Sequence, residues 1–166
     1  MIMTVEKLKT FIDTDEKDAV LEEKLKALEL LIRKYTNNNF QNRNKRFSSS
    51  IINGNIAEPY PYISPGDTIQ ISESKMNAGL YVYSDDMGLI DETCCLVTKV
   101  EYPADVQLGA INMMKWDLEN REKVGIQSET LSRHSVTYFN MDGDNSSMGY
   151  PKSLLGFLKP YMKARF

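Results

Sequence analysis

The stretch Leu21-Glu22-Glu23-Lys24-Leu25-Lys26-Ala27-Leu28-Glu29-Leu30-Leu31-Ile32-Arg33-Lys34-Tyr35 decides how the chain is read. Leu21, Leu25, Leu28, Ile32 and Tyr35 recur at spacings of four and three, and Ala27 and Leu31 widen the same stripe. Glu22, Glu23, Lys24, Lys26 and Glu29 take the other side. This is an amphipathic helix from about Asp15 to Thr36, roughly 30 Å long at 1.5 Å per residue. Its apolar stripe requires a partner surface. Asn37-Asn38-Asn39 ends it, because Asn tolerates the left-handed conformation at a helix C-terminus.

Toward the N-terminus, Thr4 is placed to cap a short helix with Val5, Leu8, Phe11 and Ile12 on one face, interrupted by Asp13-Thr14-Asp15. Toward the C-terminus the period changes near Phe47. Ile51-Ile52, Thr68-Ile69-Gln70-Ile71, Leu80-Tyr81-Val82-Tyr83 and Cys94 to Val100 read as short strands separated by Ser, Gly and Pro. After Pro103 the helical period returns through Val106, Ala110, Met113 or Met114, and Leu118, predicting a third helix to about Glu122 closed by Gly125. Residues 125–139 read as extended and 142–147 as an exposed loop. A last helix is expected from about Pro151, carrying Leu154, Leu155, Phe157 and Leu158 and ended by Pro160. The fold class so predicted is α+β: a helical core of about four helices, residues 4–46 and 103–166, with an inserted small β module at 47–102.

The chain has 166 residues, 42% hydrophobic and 26% charged, which fits one ordinary domain or one domain with an insertion and excludes global disorder. The net charge of −3 excludes a general cationic field for nucleic acid. Its distribution is uneven. Residues 33–57 carry five bases and no acid, residues 58–103 carry eight acids against Lys75 and Lys99, and residues 145–166 carry four bases and no acid. Such segregation is either a set of solvated faces or a pair of complementary surfaces between copies or partners. No apolar run is long enough to cross a bilayer, and the first residues lack a secretory pattern, so a soluble protein made in a cytoplasm is expected, without membrane contact.

Catalytic chemistry has little to stand on. His134 is the only histidine, with no fixed Ser or Cys partner. Asp142 and Asp144 resemble the start of a calcium loop, but Ser147 and Ser153 stand where Gly and Glu are needed. Cys94 and Cys95 are adjacent, without metal-ligand spacing, and read as two reduced thiols. The expectation is a non-enzyme without metal or cofactor. Arg43, Lys45 and Arg46, among amides and flanked by Phe40 and Phe47, form either a solvated loop after the long helix or a phosphate-contacting stretch. Trp116 either packs the third helix into the core or stands in a subunit interface together with Arg121 and Glu122.

Three groups of phrases carry a family resemblance. They are Thr4-Val5-Glu6-Lys7-Leu8-Lys9-Thr10-Phe11-Ile12 with the long helix ending Leu31-Ile32-Arg33-Lys34-Tyr35-Thr36; Trp116-Asp117-Leu118-Glu119-Asn120-Arg121-Glu122 through Gly125-Ile126-Gln127-Ser128-Glu129; and Ser135-Val136-Thr137-Tyr138, Tyr150-Pro151-Lys152-Ser153-Leu154-Leu155 and the ending Leu158 to Phe166. In this order, over about residues 4–40 and 103–166, the chain resembles the head-tail connector (adaptor, head-completion) proteins of long-tailed bacteriophages. Residues 47–102 have no counterpart in that pattern. The resemblance implies a structural virion protein at the head-tail interface, assembled in the host cytoplasm. It would form a ring of about twelve copies under the portal, extend the DNA channel and receive the stopper or tail-side protein. The free protein is compatible with a monomer. The resemblance also brings the C-terminal end to the portal, making Lys159, Tyr161, Lys163, Arg165 and Phe166 candidate portal contacts. The alternative is a small regulatory or nucleic-acid-binding module resting on Arg43, Lys45 and Arg46.

Overall fold

The computed structural model describes residues 1–58, 61–121 and 145–164, and the backbone of 128–131 and 134–137. The chain divides into two compact units, one of Met1–Ile2 with Asn37–Tyr102, the other of Met3–Thr36 with Pro103–Phe166.

The first unit is a curled, five-stranded antiparallel sheet. Its strands are β1 (Gln41–Ile52), β2 (Asn55–Ile56), β3 (Thr68–Ser72), β4 (Gly79–Val82) and β5 (Glu92–Val100), in the order β2-β1-β5-β3-β4. The expected strands at 68–71, 80–83 and 94–100 are present within a residue or two. The expected fold class is corrected: the sheet dominates the described structure, and it is not a small module inserted in a helical core. The main reason is β1, a strand of 12 residues where the sequence shows β propensity only at Ile51-Ile52. Asn42, Asn44 and Ser48 to Ser50 are poor strand formers in isolation, but β5 offers a long ladder of main-chain partners. Arg46 to Ser49 pair with Thr98 to Cys95 in unbroken antiparallel register, with shifts on either side. The basic stretch is therefore a strand and not a loop. Asn53 and Gly54 have φ of 52° and 77°, and two successive left-handed residues make the tight turn that joins β1 to β2.

Alternation along the strands places Ile51, Ile69, Ile71, Cys95 and Val97 on one buried face. There they form a core with Ile56, Ile63 and Leu89, and Phe47, Tyr81, Tyr83 and Met87 pack against it. Burying a Val, Leu or Ile side chain contributes roughly 1.5–3 kcal/mol, so this face holds the sheet. Cys94 is exposed and Cys95 buried, as opposite faces of a strand require, and both are free thiols.

The second unit contains α1 (Val5–Lys9), α2 (Asp18–Thr36), α3 (Ala104–Asn120) and a C-terminal 3₁₀ helix (Lys152–Tyr161). Thr4 caps α1, its hydroxyl accepting from the Lys7 N–H at 3.2 Å. Leu21, Leu25, Leu28 and Ile32 are buried as the period predicts, and Asn37 ends α2 with φ of 49°. Leu8, Val106, Ala110, Met113, Met114, Leu155 and Leu158 are buried in the same unit, where α2 touches α1, α3 and the 3₁₀ helix. Three placements differ from the pattern. Glu29, assigned to the polar side, is buried; Ala27 is exposed; and Phe11, just past the end of α1, is 56% exposed.

The hairpins β6 (Ser128–Leu131) with β7 (His134–Thr137) and β8 (Ser146–Ser147) with β9 (Tyr150–Pro151) lie between α3 and the 3₁₀ helix. The second turns through Met148 and Gly149 at φ of 54° and 78°, so residues 146–147 are strand where a loop was expected. Pro160 lies inside the last helix instead of ending it, because near the end of a 3₁₀ helix its missing N–H forfeits a single bond. Gly125 and the Asp142–Asp144 pair lie outside the described residues.

Candidate functional site

The sequence-predicted residues fall into three places. The first is the end of α3. Asp117, only 8% exposed, is its hub: Arg121, one turn on, donates Nε to Asp117 Oδ1 at 2.6 Å, and Nη2 also reaches that oxygen. Tyr150 donates its hydroxyl to the same oxygen at 3.3 Å, and Lys24 of α2 reaches Oδ2 at 3.3 Å. The Arg121 guanidinium lies 5.5 Å from the Trp116 ring centroid and 5.0 Å from that of Tyr150, and the two rings are 5.4 Å apart. Arg121 Nη1 also donates to the Gly149 carbonyl at 3.2 Å, tying the β8–β9 turn to the helix. Burial, then the neighbouring Asp117 charge, pushes the Tyr150 hydroxyl above its ordinary pKa. A depression of about 290 Å³ beside this cluster is lined by Lys24, Leu28, Met114, Asp117, Arg121 and Tyr150 among others. Trp116 and Arg121, expected in a subunit interface, are thus engaged within their own chain, Trp116 half-buried and Arg121 exposed. Glu122 lies outside the described residues.

The second place is the C-terminal segment. Past Pro160 the residue types fit either a disordered or a docked tail. Tyr161 donates its hydroxyl to the Asp105 carboxylate, both oxygens standing at 2.8 Å, and this bond raises the tyrosine pKa. The Lys163 N–H donates to the Thr36 carbonyl at 2.8 Å. The chain is therefore bound to its own helices as far as Lys163. The physical reason is that α2 ends with unused carbonyls, and Thr36 O accepts the Lys163 N–H. Lys159 and Lys163 are exposed; Arg165 and Phe166 lie outside the described residues.

The third place is β1. Lys45 is ion-paired with Glu101 at 2.5 Å, and Asn42 Nδ2 donates to the same carboxylate at 2.7 Å. The Lys45 bond holds the Glu101 pKa below the usual range, against some burial. Arg46 donates Nε to Thr98 Oγ1 at 3.1 Å and keeps its charge uncompensated by that neutral partner. Arg43 is exposed. Only Arg43 and Arg46 of the three bases thus offer free charge to a phosphate or an acid.

Sequence reasoning missed Asp117, Tyr150 and Asp105, which are polar groups defined by distant partners. It also missed the Glu92 hub, where the carboxylate accepts from the Lys75 N–H at 2.7 Å, from Asn77 Nδ2 at 3.2 Å and from the Ser74 hydroxyl. Those bonds, Ser74 first, lower the Glu92 pKa and bind the β3–β4 connection to the start of β5. Among the described residues no three His, Cys, Asp or Glu side chains gather as metal ligands, and no helix is long and apolar enough to cross a membrane. No family model matches the chain, and comparison with curated proteins finds no match either.

Proposed function

We propose that the chain is a structural subunit of a phage head-tail connector, a ring under the portal that extends the DNA channel and receives the stopper or tail-side protein. One observation supports this most. The segments that carry the resemblance, about residues 4–40 and 103–166, are far apart in sequence, yet Met3–Thr36 and Pro103–Phe166 fold together as one compact unit. Mild net negativity also suits a channel through which DNA slides without adhering. In this reading Lys159, Tyr161, Lys163, Arg165 and Phe166 face the portal, with the bases pairing to its carboxylates. Trp116, Arg121 and Glu122 border the neighbouring subunit.

The test mixes purified protein with portal-bearing, DNA-filled heads and images the portal vertex. Added ring density is the expected result; heads that stay bare at saturating protein overturn the reading. The portal contact is tested with Lys159→Glu and Lys163→Glu together, and with a chain ending at Ala164. Both changes spare the Tyr161–Asp105 and Lys163–Thr36 bonds. Each should reduce ring occupancy without lowering the unfolding midpoint.

A further inference from the structure

Among the described residues the five-stranded sheet has two edges that no full strand pairs. Among the described residues no strand lies beyond β4, and β2 covers β1 only at Ile51 and Ile52. The parity of the free main-chain groups can be read from bonds already made. On β4's partner side the Tyr83 N–H donates to Asp67 O, and the Gly66 N–H donates to Tyr83 O, both at 2.8 Å. Residues of an antiparallel strand alternate in the side to which they present N–H and C=O, so Leu80 and Val82 present theirs to the open edge. On β1 the Ser50 carbonyl accepts the Ala57 N–H at 2.9 Å on the β2 side, so Ser48 and Arg46 also face outward.

We propose that a second copy of this chain occupies these edges, β1 of one copy adding antiparallel to β4 of the next with Val82 opposite Arg46 and Leu80 opposite Ser48. Two features fix the parity of this pairing and a third its position. The outward main-chain groups of both strands meet. Tyr81 then falls opposite Phe47, and both belong to the face that packs on the core, whereas a slip by one residue would set core-facing against solvent-facing side chains. The charges match as well: Asp85 and Asp86, exposed just past β4, come nearest Arg43 of the basic strand. The strand directions permit indefinite repetition. Along the order β1-β5-β3-β4 every pairing is antiparallel, so an added β1 antiparallel to β4 points the same way as the first. Such a contact is heterologous, the kind that closes into rings.

The inference deepens the connector reading, resting on it for ring closure but not for the edge pairing. It assigns the sheet, which the family pattern lacks, to subunit-subunit contact.

The experiment uses the full chain with Cys94→Ser, leaving Cys95 buried. One variant adds Arg46→Cys, another Val82→Cys, and a third carries both. Mild oxidation at millimolar protein, and on protein-loaded heads, should link the first variant to the second and neither to itself, and should turn the third into a ladder of multimers. Adding Leu80→Pro to the third removes an N–H that the fold itself does not use, so the ladder should vanish while the circular dichroism spectrum and unfolding midpoint hold. Self-linked dimers of either single variant, a ladder that survives Leu80→Pro, or no linkage in both settings would overturn the edge pairing. Ring density on heads without a 46–82 link sinks the edge pairing alone. A ladder in free protein with heads left bare sinks the connector reading alone.

Discussion

The Phe157 ring covers Gly109 so closely that a Cβ added to the glycine would stand 2.3 Å from its Cζ and 2.4 Å from both Cε atoms. Gly109 is in the middle of α3, where Ala would ordinarily favour the helix by about 1 kcal/mol. Here the ring must move and surrender its packing, a cost of about 1–3 kcal/mol. Gly109→Ala should therefore lower the unfolding free energy. In a Phe157→Ala background the same change should raise it. Denaturant melts of the four proteins give the sign reversal directly.

Asp117 joins Arg121, Tyr150 and Lys24 from three elements. Asp117→Ala leaves the buried Tyr150 hydroxyl without its acceptor, and an expected loss of about 1–3 kcal/mol follows. Lys24→Ala should cost under about 1 kcal/mol, because the Lys24 side chain is a third exposed and its charge is screened. Equal losses in the two variants would mean that Asp117 is not the hub.

Glu92 contributes to stability against acid. Its folded pKa lies below its unfolded one, so its contribution is full above the unfolded value and is lost as pH falls through the folded value. Glu92→Gln should consequently destabilise at neutral pH and flatten the fall in melting temperature below about pH 4.5. On the alkaline side the sign is opposite. The raised Tyr150 pKa favours the fold below the unfolded tyrosine value, near pH 10, and that support is lost as pH climbs toward the folded value. Tyr150→Phe should remove this part of the alkaline loss.

The adjacent thiols should react at very different rates. Cys94 is exposed, while burial raises the pKa of Cys95 and hides its sulfur. A maleimide should label one thiol per chain promptly and the second only on unfolding, with Cys94→Ser abolishing the fast phase in mass spectrometry.

Elements defined by local pattern were legible. The 3.6-residue period gave α2 its buried Leu21, Leu25, Leu28 and Ile32, and β-branched runs marked β3 and β5. Asn37 marked the end of α2 because Asn tolerates the left-handed conformation with which this helix ends. Asn53-Gly54 carried an equally clear turn signal, and reading it would have pointed to strand on both sides, including Ile51-Ile52. The strand character of Gln41 to Arg46 had no such signal, since polar residues extend there only because β5 supplies partners 50 or more positions away. The predicted site residues were legible as charged or aromatic types, but not their partners. Nothing adjacent to Arg121 announces Tyr150, and nothing adjacent to Tyr161 announces Asp105.

The sequence by itself determined which residues must leave water and with what period, because hydrophobic spacing and turn chemistry act over a few residues. It also determined the segregation of charge, with bases in 33–57 and acids in 58–103. Tertiary structure decided the rest: that a polar segment becomes the longest strand, that Glu29 is buried, and that the chain past Pro160 returns to α2. It also decided that the basic strand β1 lies beside β5 of the acidic segment, where Lys45 meets Glu101. Those outcomes depend on hydrogen-bond partners and packing surfaces contributed from far along the chain, and a local pattern contains no record of them.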